Sequence, residues 1–414
     1  MQQRRAVLLD ASCVIAGSHN PRACRLFARA FEAAGFVVRY LVPRHGEAAF
    51  PGEEPAVERV LPYPYALRYG TIDGAPAHPA DRQLHAVVRR HRDDAGRRLL
   101  NRARLPLADS RICSLMTGAL APELDRLDLG FGDVVMLPTA DLYASAALLA
   151  WLQRRPPASA PAVLLRFLNI LERGALYRPH DRLKALLSRA ALLGRRGYRI
   201  VLAAEVEPWA AKLERRSGLP VLLLPTPPEP STARPRDPAR IGVSLISLRR
   251  REQGSRRLEP ILRAIPAALR DRLDVVGQRP RMRSGDDLRA EGVRLVADQL
   301  SESELADTLA GLDVTLLPYR LPDYAERGSS MLFEAANHGH RVLATAGCGF
   351  SGEIERFGLG SLCESNQDFV DALAALAREA NPRASSEAAA ARYNDYRRAC
   401  FGRALDAIGG IPKR

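Results

Sequence analysis

The sequence predicts an α/β protein of two domains, each a parallel sheet covered by helices on both faces. Three observations carry this reading. Short apolar strand patterns alternate with helical ones, at the spacing that parallel sheets with crossover helices require. Six prolines, Pro225, Pro227, Pro228, Pro230, Pro235 and Pro238, interrupt the alternation, which restarts beyond them. The 414 residues exceed one ordinary domain and suffice for two, each with its own core.

Taken in order, the chain opens with a strand near Ala6–Leu9, a loop over Ala11–Pro21, a helix over Arg22–Ala34 closed by Gly35, and a strand over Phe36–Val42 ended by Pro43. Residues 44–81 are rich in Pro, Gly and Tyr without a period and read as a surface excursion; residues 82–104 read as a long basic helix. Strands at Val134–Leu137, Ala162–Phe167, Arg199–Ala203 and Val221–Leu224 then alternate with helices at Leu142–Gln153, Arg182–Leu193 and Glu207–Arg216. Beyond the prolines come a strand at Ile241–Ser247, a helix at Glu259–Leu269, strands at Leu273–Val276 and Val293–Ala297, and a helix at Glu302–Ala310. A buried-strand pattern in Leu312–Pro318, a helix, and strands at Arg341–Thr345 and Gly360–Cys363 follow, with helices at Phe369–Arg378 and Ser385–Ile408. In the last helix Tyr393, Tyr396, Phe401 and Leu405 are the expected buried contacts. The division is therefore 1–228, 229–384 and a terminal helical segment 385–414.

Hydrophobic content of 47% and charged content of 26% are those of a soluble globular chain, and no run of about eighteen uncharged apolar residues is present to span a bilayer. The apolar run after MQQRR is broken by Asp10 and reads as a first strand, so a cytoplasmic location is expected. Six cysteines, at 13, 24, 113, 348, 363 and 400, include no Cys-x-x-Cys pair and no His at zinc spacing; they are expected to be reduced, and no metal site is expected. The net charge of +14 is uneven: residues 1–228 carry 33 Lys and Arg against 21 Asp and Glu, residues 229–414 carry 28 against 26. No recognition helix, zinc finger or interleaved aromatics accompany the basic half, which excludes nucleic acid as its expected partner. An anionic membrane surface, at the inner face of which the protein would be peripheral, and a simple solvated Arg-rich surface remain as readings. The chain's three lysines, Lys184, Lys212 and Lys413, favour the second.

The stretch from Tyr319 to Glu353 concentrates the chemistry. Gly328, Ser329 and Ser330 signal a helix start, because glycine frees the backbone and a serine hydroxyl caps an orphan N–H. Glu326 and Glu334 frame that start with seven residues between them, and side chains on a helix lean toward its N-terminus. Free N–H groups and the positive end of the helix dipole suit a phosphate, and two flanking carboxylates suit hydroxyls. Together they suit a nucleotide-sugar. Ordinary dipole complementation by Glu334 and a solvated Glu326 are the plain alternative.

Glu-x7-Glu across Gly-Ser-Ser, followed by Leu332-Phe-Glu-Ala335 and Gly339-His-Arg-Val-Leu-Ala-Thr345, resembles the donor-site motif of the family 4 glycosyltransferases. The resemblance implies the GT-B architecture, two Rossmann-like domains with parallel sheets facing across a cleft, and a C-terminal helix returning to the N-terminal domain. It implies transfer from a nucleotide-sugar, UDP- or GDP-linked, with retention of configuration and without metal or cofactor. By resemblance Glu326 contacts hydroxyls of the transferred sugar and Glu334 the ribose, with Gly328, Ser329 and Ser330 at the phosphates. Gly277, Gly347 and Gly349, in loops on the same rim, either allow close approach of the donor or make the turns.

Two departures from the family pattern stand out. Where the family places an Arg and a Lys against the diphosphate, this chain has Leu248 and Gln253, with Arg249 and Arg250 beside them as the cations that would stabilise the leaving group. On the acceptor side the family's paired glycines reduce to Gly17 and its His is missing, leaving His19, Asp141 and Arg166 as polar candidates. The acceptor, a small molecule, glycan or lipid-linked compound, is open. So are two alternatives to transfer: a nucleotide-sugar epimerase of the same architecture, and a non-catalytic partner subunit.

Overall fold

The structure is a computed structural model that describes residues 3–13, 19–44, 56–62, 98–168, 179–229, 231, 240–248, 251–279, 292–379 and 382–409. It divides into two compact units, one of residues 1–205, 210–225 and 400–414, the other of 206–209 and 226–399.

The first unit contains β1 (Arg5–Leu9), α1 (His19–Ala33), β2 (Val37–Pro43), β3 (Val57–Leu61), α2 (Arg98–Arg126), β4 (Val134–Leu137), α3 (Leu142–Leu152), β5 (Ala162–Phe167), α4 (Pro179–Arg195), β6 (Ile200–Ala204), most of α5 (Glu207–Ser217) and β7 (Val221–Leu223). All seven strands are parallel, in the order β3-β2-β1-β4-β5-β6-β7. Ala6–Leu9 and Val134–Leu137 are buried throughout, as expected of central strands covered on both faces. β3 lies inside the stretch expected to be a structureless excursion. The expected helix over 82–104 falls mostly outside the described residues, whereas α2 extends 22 residues past its expected end at Arg104, through Pro106, Gly118 and Pro122. Prolines inside a helix remove N–H donors and read as breaks, which is why the sequence hid its length.

One core cluster joins Phe27 and Phe31 of α1 to Val38 and Tyr40 of β2, Met136 of β4 and Leu164 of β5. Phe401, Ala404 and Ile408 from the chain's last helix complete it, with Phe401 set edge-on to Phe31 at 5.1 Å between ring centroids.

The second unit contains β8 (Ile241–Leu245), a 3₁₀ turn at Arg251–Gln253, α6 (Ser255–Ala264), α7 (Ala267–Arg270), β9 (Leu273–Gln278), β10 (Val293–Val296), α8 (Glu302–Ala310), β11 (Val314–Leu317), α9 (Leu321–Tyr324), α10 (Ser330–Asn337), β12 (Arg341–Thr345), α11 (Ser351–Phe357), β13 (Gly360–Cys363), α12 (Asn366–Leu376) and residues 382–399 of α13 (Pro382–Gly409). Its six strands are parallel in the order β10-β9-β8-β11-β12-β13. The single helix expected over Glu259–Leu269 is two, because Pro266 has no N–H to continue α6 and instead starts α7. The start of the proline segment is tied down by Arg397 of α13. This fully buried guanidinium donates to the carbonyls of Thr226 at 2.8 Å and Pro227 at 3.1 Å, and to the side-chain oxygens of Asn337 at 2.9 Å and Asn394 at 2.8 Å. Among the described residues no helix is long and apolar enough to cross a membrane.

Candidate functional site

In an open parallel sheet, ligands sit beyond the carboxyl ends of the strands where the strand order reverses. In the second unit that point lies between β8 and β11. The chain leaving β11 turns at Pro318 and buries Tyr319 and Tyr324, whose rings lie 4.1 Å apart. The Tyr319 hydroxyl shares a 3.1 Å hydrogen bond with the Ser329 hydroxyl, and Ser329 caps α10 by accepting from Leu332 N at 3.3 Å. Buried and extended at φ −136°, Ser329 fixes where the helix begins. Glu334 follows one turn in and is buried; Glu326, Gly328 and Ser330 are half-buried at the helix mouth.

Two glycines set this loop through main-chain contact. Gly349 N donates to Tyr324 O at 2.7 Å, and a Cβ on Gly349 would stand 2.8 Å from Arg327 N and 3.1 Å from Glu326 C. Gly349 therefore admits the backbone that carries Glu326. Gly254, at φ +84°, brings the loop after β8 so close to β11 that a Cβ would fall 2.0 Å from Pro318 O. Gly347, at φ +81°, makes a turn against Leu321. Gly277 is not in a loop: it lies within β9, paired with Leu245 and Leu295, because the strand continues to Gln278. Gln278 in turn accepts from Ser247 N at 2.9 Å, holding a non-glycine residue at φ +67°.

Leu248, at the family's Arg position, is buried and packs, while Arg249 and Arg250 lie outside the described residues. A cation that the sequence reading passed over is nearby. Arg257, in the first turn of α6, donates to Thr345 Oγ1 at 2.8 Å and Asn366 Oδ1 at 2.9 Å, tying the end of β12 to the start of α12. Burial draws its pKa down from the usual arginine value, with Cys363 and Cys348 opposing. Its separation from Glu334 in sequence left no spacing signal.

In the first unit the strand order reverses between β1 and β4, and buried ionisable groups collect there. Asp141 caps α3, its Oδ1 accepting from Tyr143 N at 2.8 Å and Ala144 N at 3.0 Å, while Oδ2 is buried with no hydrogen-bond partner among the described residues. Burial pushes its pKa up to about 6, against the two N–H groups. Asp10, directly after β1, is pushed to about 6 for the same reason, opposed by hydrogen bonds from Ser12 and Thr139. Arg166, at the end of β5, is enclosed: Nε donates to Leu224 O at 2.6 Å, Nη1 to Pro138 O at 2.9 Å and Nη2 to Glu205 Oε1 at 2.7 Å. Every nitrogen of that fork serves the protein, so Arg166 acts as a clamp on the rim, not a hand extended to an acceptor. Gly17 and the His19 side chain lie outside the described residues.

Two parallel-sheet α/β units, of seven and six strands, make this the GT-B fold, as the sequence implied. The chain is similar in structure to sucrose-phosphate synthase from Thermosynechococcus elongatus (TM-score 0.62, 12% identity, 98% of this chain and 99% of that one). It is also similar to a UDP-forming α,α-trehalose-phosphate synthase from Burkholderia xenovorans (0.59, 12%, 99% of each) and to HepE from Anabaena in complex with UDP (0.59, 11%, 98% and 99%). At these identities the likeness is one of fold. No family model matches the sequence, and a search of curated proteins returns no match.

Proposed function

We propose that this chain is a glycosyltransferase, moving a sugar from a nucleotide-sugar donor held by the second unit to an acceptor recognised through the first. The carrying observation is the mouth of α10: a buried serine cap, Glu334 buried one turn in, and Glu326 on a loop whose backbone Gly349 pins. In this reading the N–H groups at Ser329 and Ser330 meet the diphosphate, Glu334 accepts from ribose hydroxyls and Glu326 from hydroxyls of the sugar. Arg249 and Arg250 supply the charge that the departing diphosphate needs. Transfer then proceeds on the front face with retention and without metal, the leaving phosphate oxygen taking the acceptor proton. Two similar structures, one named as UDP-forming and one bound to UDP, make UDP the first nucleotide to try.

The test is thermal stabilisation by UDP, GDP, ADP and CMP, on the wild type and on Glu334→Ala. A ligand confined to the folded state at a hundredfold excess over its dissociation constant stabilises by about 2.7 kcal/mol. The expected result is a shift with UDP that Glu334→Ala loses while its unliganded midpoint stays near the wild type's. No shift with any nucleotide points to a non-catalytic partner subunit. A shift together with donor consumption independent of any acceptor points to an epimerase or hydrolase.

A further inference from the structure

Asp10, Cys13 and Cys24 have no part in the transfer chemistry above, yet the fold brings them to one point. Asp10 and Cys13 lie in the turn leaving β1, and Cys24 lies on α1, which packs back over that strand. All three are fully buried, and one ligand atom from each lies within 4.8 Å of the others. Cys13 Sγ is 3.7 Å from Cys24 Sγ, which is 3.8 Å from Asp10 Oδ2.

With both thiols protonated these contacts are hydrogen bonds, Cys13 donating to Cys24 and Cys24 to Asp10; they are too long for a disulfide and leave room for an ion once the protons depart. Tetrahedral zinc, with bonds to sulfur of about 2.3 Å and to oxygen of about 2.0 Å, sets its sulfurs about 3.8 Å apart and sulfur from oxygen about 3.5 Å apart. A disulfide needs its sulfurs at about 2.05 Å. The sulfur–sulfur separation matches a zinc site, and the sulfur–oxygen separation comes within about 0.3 Å of one, with all three ligand atoms inside 4.8 Å. Asp10 is also oriented for it: Oδ1 accepts from Ser12 N at 2.8 Å and from the Ser12 hydroxyl, Thr139 donates to the same carboxylate, and Oδ2 is the oxygen facing Cys24.

We infer that Asp10, Cys13 and Cys24 bind one thiophilic divalent cation, of the zinc type, at the β1–α1 corner of the first unit. Binding forms two metal–sulfur bonds and one metal–oxygen bond, releases the two thiol protons to solvent and changes no oxidation state. The three ligands carry three negative charges against two on the ion; Arg25 and Arg166 act electrostatically on this cluster and offset the remainder. Three protein donors leave a fourth position on the ion.

The experiment uses the full chain, reduced with a phosphine, titrated with cobalt(II) as a spectroscopic stand-in. One equivalent should bind, with a sulfur-to-cobalt charge-transfer band and the visible bands of tetrahedral cobalt. Cys13→Ser and Cys24→Ser should each weaken binding more than about a hundredfold, beyond what changes in a ligand's outer partners cost. Cys348→Ser/Cys363→Ser should leave it unchanged. Should the two rim variants fail to fold, X-ray absorption at the zinc edge on the wild type decides, with two sulfurs at about 2.3 Å expected. No charge-transfer band in the reduced wild type, a band retained in Cys24→Ser, or a zinc shell lacking sulfur overturns the assignment.

Discussion

The two rims of this molecule share a topology and differ in how they are built. In each unit the strand order reverses beside the first strand, at β1 and β4 and at β8 and β11. The rim of the second unit depends most on main chain against main chain, Gly254 against Pro318 and Gly349 against Glu326 and Arg327, with side-chain bonds such as Tyr319 to Ser329 added to it. Side chains set the rim of the first, through Asp10, Asp141 and the enclosed Arg166. A rim built from backbone contact tolerates no Cβ and is indifferent to pH; a rim built from buried ions tolerates isosteric change but responds to protons and to loss of a partner.

The sharpest break in this comparison should come from Gly254→Ala. The new Cβ meets a backbone carbonyl and a left-handed φ together, so chemical denaturation should show a loss of more than about 4 kcal/mol. Gly352→Ala is the control: a Cβ there meets nothing within 4 Å, the site lies in α11, and a gain of up to about 1 kcal/mol is expected. Equal losses at the two sites would sink the backbone account.

On the first rim, Arg166→Met should cost about 3 kcal/mol, because Glu205 is left without its partner. Adding Glu205→Leu should recover only part of this, since the carbonyls of Leu224 and Pro138 remain unpaired. Full recovery would reduce the clamp to its ion pair.

The smallest effect is expected from Asp141→Asn, read as stability against pH. The folded pKa of Asp141 lies above the ordinary value of 3.8, at about 6. Its favourable term is therefore complete below pH 3.8 and is lost as pH rises toward 6. Relative to the Asn variant, the wild type should lose about 2 kcal/mol between pH 4 and pH 7. Asp10 faces the same rim and is raised in part by the Asp141 charge, so the Asn variant also relaxes Asp10 and adds to the difference in the same direction. A difference that is flat with pH would remove Asp141 from the list of buried acids.

The pattern of these groups explains what the sequence could disclose. Strands such as Val134–Leu137 and Ala162–Phe167 were legible because central parallel strands are apolar on both faces, and Gly328-Ser329-Ser330 was legible because a cap is a local signal. Gly254 and Gly349 show only as loop glycines, since what each excludes lies 64 and 22 residues away, at Pro318 and Arg327. The length of α2 was masked by its prolines, and β3 by a setting rich in turn residues. Cys13 and Cys24, eleven residues apart, fit no ligand spacing until α1 folds back over β1. Arg166 looked available because sequence shows a charge and not the three partners that enclose it.

The last helix carries a consequence for how the protein is made. Phe401, Ala404 and Ile408 sit in the core with Phe27 and Phe31, and Arg199 Nη1 reaches Ile408 O at 2.9 Å. A ribosome delivers the amino-terminal sheet well before these residues, so the first unit closes its core only after the second unit has been made. Until then an apolar face built around Phe27 and Phe31 stays open to water and to chaperones. A message truncated after codon 399 would leave it open for good. The unit whose synthesis begins first is the one whose core is completed last.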